Sequence, residues 1–364
     1  MSGTMYHKYR RAHYKCFILC AVLLAAVVLI FFTGLTMTQG TMTFAEAYRY
    51  LFDYLMASDK TEYMDMLRQT DYMDWLKTRE VVELNFPRLI AGICVGTTLA
   101  ICGTIMQSVV KNPLADPFTT GISSGALLGV SLVIAMGITV IPFATGVFAI
   151  MSNAFIFALI PTAVIVFFSI FKKNLTPAMM ILVGIAVMYI FSAFSSMIRY
   201  RADPESAQEI FTWTLGSLGG VSTNEAMILV ATTVIAVLIG IFIPHLLNVM
   251  TTGDKVSTSL GVRVKLFRVS CLIIVALLAA TCVSFSGTIG FVGLVCPHVA
   301  RMLVGANNKF VIPCSGIVGM VMLTGSDCIA KTITLSGLPV GAITALIGSP
   351  IFIYLLIKQK KNMW

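Results

Sequence analysis

The fold is decided by residues 85–126, which read NFPRLIAGICVGTTLAICGTIMQSVVKNPLADPFTTGISSGA. No charged side chain occurs between Arg88 and Lys111, and a helix needs roughly 20 such residues to cross the hydrocarbon of a bilayer. Residues 112–117 contain two prolines and cannot continue that helix, so we expect the chain to turn there and re-enter at Gly121. Small residues on one face of the helix allow another helix to approach closely: Gly92, Gly96, Ala100 and Gly103.

The composition of the whole chain extends this interpretation. Of the 364 residues, 58% are hydrophobic and only 11% are charged, whereas a soluble chain carries about 25% charged residues to cover its surface. Lipid is the solvent that tolerates so apolar a surface. The sequence therefore predicts an all-α polytopic membrane protein, a single transmembrane domain over residues 1–364, because helices pair their backbone groups internally.

We expect about ten spans. The segment from Cys271 to Ala330 is nearly continuous apolar sequence, and we divide it at its glycines and prolines. The first span follows four basic residues like a signal peptide, but its apolar run is too long for one, so we interpret it as uncleaved. The predicted spans are 16–36, 88–110, 118–140, 145–171, 177–198, 226–247, 268–286, 289–306, 311–329 and 338–357.

Charge predicts the orientation of these spans. With an inside N-terminus, 16 of the 25 Lys and Arg residues fall inside, and the only inside carboxylates are Asp116 and Asp254, so the inside carries +14 and the outside −5. Basic loops stay on the cytoplasmic side. The sequence thus predicts cytoplasmic termini, a cytoplasmic tail (1–15), an extracytoplasmic insertion (37–87) that caps the interface, and a cytoplasmic loop (248–268).

Other features exclude some classes of function. The net charge of +9 follows from membrane topology, so we expect membrane lipid and no nucleic acid as a partner. The nine cysteines show no CxxC or Cys/His metal spacing and are interpreted as packing residues. We expect no catalytic residue, metal site or cofactor in this chain.

A weak internal repeat is visible. Gly103-Thr104-Ile105 precedes Pro113 and Gly121, and Gly287-Thr288-Ile289 precedes Pro297 and Gly305, with the same spacings and an offset of 184. Five predicted spans separate the copies, so they run in opposite directions. Inverted repeats with interrupted helices are typical of transporters, although chance matching explains so few identities equally well.

Two further motifs complete the pattern: residues 286–301, SGTIGFVGLVCPHVAR, and residues 338–352, LPVGAITALIGSPIF. Together with residues 85–126 they resemble the FecCD-type permease family of ABC importers for ferric siderophores, heme and cobalamin. The resemblance covers about residues 85–357. It implies the type II ABC importer permease fold of ten helices in inverted-repeat halves. It implies a bacterial cytoplasmic (inner) membrane location, a second permease copy (a homodimer or a related permease), cytoplasmic ATPase subunits that bind ATP and Mg²⁺, and an extracytoplasmic substrate-binding protein.

The energy source and its contact surface follow from this resemblance. The chain has no GxxxxGK[ST] phosphate loop, so energy must come from a partner or an ion gradient. Composition alone favours an ordinary basic loop at 248–268, but in the family this region couples to the ATPase. The residues expected to carry the coupling are Asp254, Val256, Leu260, Gly261 and Arg263.

The family docks its binding protein through basic residues at the outer end. Arg88 matches one such position and Lys331, following Asp327, matches another. Asn85 and Gly337 stand where the family usually has Arg and Glu, which lowers the expected affinity. The alternative for Arg88 and Lys331 is snorkelling at helix ends.

By analogy, spans five and ten line the pathway, and we expect this role of Gly184, Ser192, Ser195, Gly341 and Thr344, each of which could equally be a packing residue. His298 and Arg301 are expected to pair within a broken helix, because polar groups at membrane depth are paired inside a bundle. The residues expected to have structural roles in the motifs are Gln107, Asn112, Pro113, Asp116, Pro117, Pro297, His298, Arg301 and Pro339.

Two other functions remain open at this stage. An ion-coupled secondary transporter usually carries carboxylates buried mid-span, and the candidates Asp116 and Asp327 lie at span ends. A membrane-embedded enzyme or assembly factor needs clustered His, Asp or Cys at one depth, which the sequence does not show.

Overall fold

The computed structural model of this chain describes residues 2–37, 42–172, 176–333 and 338–358, with side chains from residue 18 onward except that of residue 356. Its regular structure in these ranges is entirely helical. The first half comprises α1 (Ser2–Thr36), α2 (Phe44–Met56), α3 (Lys60–Thr70), α4 (Tyr72–Arg79), α5 (Phe86–Val110), α6 (Ile122–Met136), α7 (Gly146–Phe171) and α8 (Pro177–Arg201). The second comprises α9 (Pro204–Thr214), α10 (Thr223–Phe242), α11 (Pro244–Thr251), α12 (Asp254–Ser259), α13 (Val264–Ser286), α14 (Val292–Val304), α15 (Asn308–Ile333) and α16 (Val340–Lys358).

The helices agree with the ten predicted spans. Within the described ranges, seven helices are long and apolar enough to cross a membrane, and three shorter apolar helices lie at Ile122–Met136, Val292–Val304 and Val340–Leu355. The predicted starts of spans three and eight were too early. Pro117–Thr120 forms a 3₁₀ turn before α6, and the chain between Gly287 and α14 is not helical.

Helix α5 forms the centre of the bundle. It packs against α10, α13, α14 and α15, and almost all of its residues are buried. The small-residue face predicted from sequence explains this. A Cβ at Gly96 would lie 2.3 Å from the carbonyl oxygen of Gly319, and one at Gly103 would overlap the carbonyl of Gly293. Backbone-to-backbone approach at these glycines brings the helices together, as small residues do in membrane bundles.

Two interrupted segments meet beside α5. Asp116 caps the 3₁₀ turn, accepting a hydrogen bond from the Phe118 amide at 2.9 Å. Gly293, in the first turn of α14, faces Asp116 and Pro117, so its missing side chain leaves room for that turn. The short helices α6 and α14 both begin here, which is the arrangement of broken helices in transporters.

The inverted halves are α5–α8 and α13–α16, which repeat the order long, short, long, long (25, 15, 26 and 25 residues against 23, 13, 26 and 19). Helix α5 packs on α15, and α13 packs on α7, so the halves exchange contacts. The sequence matching at an offset of 184 was wrong in detail. Gly103 lies inside α5 whereas Gly287 follows the end of α13. The starts of the paired helices are 178, 170, 162 and 163 residues apart, so no single offset relates the two halves.

In its described residues, the insertion (37–87) folds as the short helices α2, α3 and α4, and α4 continues into α5 through a π-helical turn at Glu80–Asn85. Thr43 caps α2 in a capping box with Glu46, and the Tyr50 hydroxyl donates to Asp74 at 2.6 Å. Burial and the Asp74 hydrogen bond raise the pKa of Tyr50 to about 12, so this contact persists at neutral pH. The Tyr48 hydroxyl donates to the Phe32 carbonyl at 3.1 Å, which fixes α2 against the end of α1.

The two ends of the bundle can be named by what they carry. The α9 end contains α2–α4, α9, Arg88 and the C-terminal end of α15, and the α12 end contains α11, α12 and Lys111. The side of the membrane that each end faces stays a prediction. Of the 16 basic residues predicted to lie inside, Lys173, Lys360 and Lys361 are outside the described residues, as is Gly337.

Candidate functional site

The predicted coupling loop (248–268) contains the end of α11, the short helix α12 and the start of α13, which begins at Val264 rather than after residue 268. One carboxylate holds α12 to the bundle. Asp254, at the start of α12, accepts hydrogen bonds from Arg268 Nη2 at 2.9 and 3.1 Å and from Lys111 Nζ at 2.5 Å. Arg268 is buried and its Nε donates to the Val109 carbonyl at 3.2 Å. Since Lys111 caps α5 and Arg268 lies in α13, α12 is attached to two spans at once.

The side chains around this anchor face outward. Val256 is 49% exposed and Leu260 63% exposed, and Arg263 is also exposed. Gly261 has φ of +87°, a left-handed conformation that lets the chain leave α12 and turn into α13. The structure thus brings together all five residues predicted for coupling. Val256, Leu260 and Arg263 form an exposed apolar and basic surface on α12 and the turn after it, here called the knob.

The charge of Asp254 is fixed by its partners. Burial raises the pKa of the Asp254 carboxyl, but the hydrogen bonds and charges of Lys111 and Arg268 outweigh burial and lower it below its ordinary value. The carboxylate is therefore ionised throughout the physiological range, and the attachment of α12 does not depend on pH there.

A second network lies at the α9 end, where Arg88 and Lys331 were predicted to dock a partner. Arg88 donates to Asp327 through Nε at 2.9 and 3.0 Å and through Nη2 at 2.7 Å. Lys331 Nζ lies 3.8 Å from the same carboxylate and donates to Asn85 Oδ1 at 2.8 Å. The side chains of Arg88 and Lys331 are 17% and 8% exposed, so both charges are engaged inside the protein and docking through them stays a prediction.

Sequence reasoning overlooked two exposed arginines nearby. Arg199 and Arg201 end α8 beside α9 and are exposed, and no carboxylate among the described residues lies within 4 Å of either guanidinium. The signal that could have found them is a basic pair at the end of a span predicted to run outward, just before the helix-starting Asp203-Pro204.

The motif residues of the core are joined by polar contacts. Gln107 Oε1 accepts a hydrogen bond from Arg301, and its Nε2 donates to the Leu294 carbonyl at 3.2 Å. His298 is buried and packs edge-on against Phe352 with ring centroids 5.6 Å apart. These contacts join α5, α14 and α16.

The remaining motif residues shape turns and breaks. Asn112 Oδ1 accepts from the Leu114 amide at 2.9 Å in the turn after α5, which contains Pro113. Pro117 begins the 3₁₀ turn, and Pro297 lies inside α14. Pro339 immediately precedes α16. Pro117 and Pro339 thus stand at helix starts, where a missing backbone donor is tolerated, whereas Pro297 removes a backbone donor inside α14.

The residues predicted to line the pathway are mostly packed in this single chain. Gly184 faces Thr120 of the 3₁₀ turn, and a Cβ at Gly341 would lie 2.2 Å from the Leu215 carbonyl oxygen. Ser195 and Thr344 are buried and donate to backbone carbonyls one turn away. Ser192 is half-buried. The outward face of α8 carries larger side chains instead: Leu182, Tyr189, Phe194, Met197 and Tyr200.

Contacts around Gly341, in the first turn of α16, connect three segments of the chain. The Ser217 amide donates to the Ser286 carbonyl at 2.8 Å, and the Thr288 hydroxyl donates to the Thr214 carbonyl at 2.5 Å. Gly341 then packs on Leu215 and Thr288 at the start of α16. The end of α9, the break before α14 and the start of α16 are therefore packed against one another.

Comparison with known proteins agrees with this architecture. The chain is 33% identical to the hemin transport system permease protein HmuU of Yersinia pestis over 282 residues, covering 77% of this chain and 84% of that protein. It is 33% identical over 290 residues to the iron(3+)-hydroxamate import system permease protein FhuB of Bacillus subtilis, covering 77% and 72%.

A solved metal-chelate type ABC transporter in an inward-facing conformation superposes with a TM-score of 0.74 at 25% identity, covering 94% of this chain and 100% of that one. The model of the FecCD transport family matches residues 23–358. Nearly the whole described bundle, from the first span to the end of α16, lies within that match. The chain therefore belongs to the FecCD transport family, a family of multi-pass membrane permeases.

Proposed function

We propose that this chain is the permease subunit of an ATP-driven importer that carries a ferric siderophore or a related metal chelate, heme or cobalamin included. The chain supplies no chemistry of its own. ATP and Mg²⁺ bind to a separate cytoplasmic ATPase, a binding protein delivers the chelate from outside, and a second copy of this chain completes the pathway. The relatives named for hemin and ferric hydroxamate support the chelate class.

The observation that carries the proposal is the attachment of α12. An exposed apolar knob fixed to α5 and α13 through Asp254 suits the transmission of force from an attached subunit to the bundle. A freely moving loop could bind a partner without moving the spans. The contacts among Lys111, Asp254 and Arg268 connect such a surface to the central helix α5.

The proposal includes a topology. The α12 end faces the cytoplasm, as do both termini and the tail (1–15), and the insertion (37–87) lies outside in the bacterial inner membrane. Cysteines placed at the exposed Thr258 and at the exposed Thr61 test this. A membrane-impermeant maleimide applied to intact spheroplasts should label Thr61→Cys, and Thr258→Cys only after lysis. Labelling of Thr258→Cys in intact cells contradicts the proposal.

Function is tested by purification from membranes with its partners. We expect an ATPase subunit to co-purify, and its activity in proteoliposomes to rise when a binding protein loaded with its ferric chelate is added. Apo binding protein and an oxyanion such as molybdate are the comparison ligands. Uptake that needs a proton gradient and no ATP supports the secondary transporter instead, and stimulation by molybdate alone contradicts the chelate class.

A matched pair of variants tests the coupling surface. Leu260→Asp places a carboxylate on the knob of α12, and Leu55→Asp places one on an equally exposed leucine of α2 (63% and 54% exposed). We expect Leu260→Asp to lose ATPase co-purification and uptake at normal permease abundance, while Leu55→Asp keeps the ATPase. Equal co-purification for both variants removes the coupling role of α12.

A further inference from the structure

An apolar groove on the outside of the bundle is not used by the proposed transport mechanism. It has a volume of about 400 Å³ and lies between α10 and α15, with α5 as its floor. The floor residues Thr97, Ile101 and Ile312 are buried, whereas Ile241 and Pro313 on the rim are exposed. The groove therefore opens sideways, away from the centre of the bundle.

The shape of the groove follows from missing side chains. Gly240 and Gly316 line it from the two walls. A Cβ at Gly316 would meet Thr97 at 3.4 Å, which is ordinary van der Waals contact. The Thr97 hydroxyl donates to the Ile93 carbonyl at 2.6 Å, so it offers no free donor to the groove. The walls select an apolar occupant.

The length of the groove matches one leaflet. Along α15 it runs from Lys309 to Met320, a rise of roughly 16 Å in an α-helix. Half the hydrocarbon thickness of a bilayer is about 15 Å. The groove begins at the α12 end, where α11 and α15 start, and it ends near the middle of the membrane.

A basic side chain lies at the end of the groove nearest the α12 end of the bundle. Lys309 lines the groove and is exposed, and no carboxylate among the described residues lies within 4 Å of its ammonium group. Basic pockets between spans on the cytoplasmic side bind anionic head groups. The apolar groove, one leaflet long, matches the length of one acyl chain. The ammonium group of Lys309 at its end complements the charge of an anionic head group.

We propose that the groove between α10 and α15 binds an anionic phospholipid, with an acyl chain along Gly240 and Gly316 and its phosphate at Lys309. The site does not depend on which substrate is carried. A lipid bound there packs between the outer helix α10 and the core helices α5 and α15, and so fixes the position of α10.

The test uses photo-crosslinking in nanodiscs. Phosphatidylglycerol with a diazirine in one acyl chain is compared with phosphatidylcholine carrying the same chain, and cross-linked peptides are mapped by mass spectrometry. For the wild type we expect labelling concentrated on residues 237–244 and 309–320, with phosphatidylglycerol preferred about fivefold, the contribution of one basic residue at an anionic surface.

Three variants make the test specific. Gly316→Leu fills the groove from α15 and should lose labelling of these segments. Ala231→Leu adds nearly the same bulk at an exposed position of α10 outside the groove, and should keep the labelling. Lys309→Gln should abolish the preference for phosphatidylglycerol while labelling by phosphatidylcholine remains, and Lys358→Gln should preserve the preference. Lys309→Gln keeps the test decisive if Gly316→Leu does not fold.

Other results of the same experiment would overturn the proposed lipid site. Labelling spread evenly over all lipid-facing helices, or unchanged in Gly316→Leu, overturns the site. A preference for phosphatidylglycerol that survives Lys309→Gln overturns the head-group contact. Cross-links from the groove to a second permease copy in place of lipid assign the groove to a protein interface and overturn the proposal.

Discussion

Arg88 and Asp327 form a bidentate ion pair across 239 positions of sequence, with Nη2 of the arginine 2.7 Å from Oδ1 of the aspartate. Asp327 is only 1% exposed, and Lys331 lies 3.8 Å from its other oxygen. One buried carboxylate thus serves two cations from α5 and α15. Arg88 and Lys331 are the two residues that the sequence analysis assigned to docking of the binding protein.

Removing the shared carboxylate should destabilise the bundle. In Asp327→Asn, Arg88 and Lys331 keep their charges in a buried site without a counter-charge, which costs about 3–5 kcal/mol for a buried pair. We expect a clear fall in the thermal unfolding temperature of the detergent-purified permease. Asp53→Asn is the control, since Asp53 makes an exposed 4.0 Å pair with Arg49 worth about 0–1 kcal/mol. Equal unfolding temperatures for the two variants contradict a structural role of Asp327.

Docking of a binding protein should depend more on Arg199 and Arg201 than on Lys331. The two arginines are exposed, whereas Lys331 is held by Asp327 and Asn85. We expect the double variant Arg199→Glu/Arg201→Glu to weaken association with the binding protein, and to remove much of its salt dependence, because exposed charges are screened by salt. Titration of binding protein onto immobilised permease at low and high salt measures this. A larger effect from charge reversal at Lys331 restores the original assignment.

The attachment of α12 should be insensitive to pH above about 5. The hydrogen bonds and charges of Lys111 and Arg268 hold the folded-state pKa of Asp254 below its unfolded value, so its ion pairs contribute stability that is fully present above the unfolded pKa and is lost as pH falls through the folded value. The difference in unfolding temperature between wild type and Asp254→Asn should therefore be constant from pH 5 to 8, and should shrink only below about pH 4. A difference that changes between pH 6 and 8 contradicts this assignment.

The contact between Gly103 and Gly293 should tolerate no side chain. A methyl group at position 103 overlaps the Gly293 carbonyl, and overpacking of this kind costs about 1–3 kcal/mol. Gly220→Ala is the control because nothing lies within 4 Å of its added Cβ. We expect Gly103→Ala to unfold at lower temperature and to lower uptake, with Gly220→Ala close to wild type. Wild-type behaviour of Gly103→Ala shows that α14 can shift without cost.

The outward face of α8 should line the pathway if a second copy faces it. Cysteines at Tyr189 and Met197, which are 68% and 65% exposed, should react with a water-soluble thiol reagent at rates that change with ATP and vanadate. A cysteine at the buried Ser195 should react slowly in every state. If the cysteines at positions 189 and 197 of the assembled transporter react as slowly as lipid-facing cysteines, α8 does not line the pathway. Replacing Gly341, the lining residue predicted in span ten, by Trp cannot test whether that span lines the pathway, because Gly341 already packs on the Leu215 backbone.

The sequence by itself determined the membrane class, the number of spans and the family, because each depends on local pattern. An apolar run between Arg88 and Lys111 can be a span on length alone, and Asn112 to Pro117 must break it wherever it lies. The loop 248–268, which contains α12, was also located by sequence, since it is a basic segment between apolar runs; its coupling role stays a prediction.

Only the tertiary structure decided which charges are available and which small residues face a neighbour. A sequence shows that Arg88, Asp327 and Lys331 exist, but their pairing depends on α5 meeting α15, which no local pattern encodes. Likewise Gly341 reads as an open lining residue until Leu215 and Thr288 are seen packed on it. Helix formation is a matter of nearby residues, whereas burial and ion pairing are set by segments that are distant in the chain.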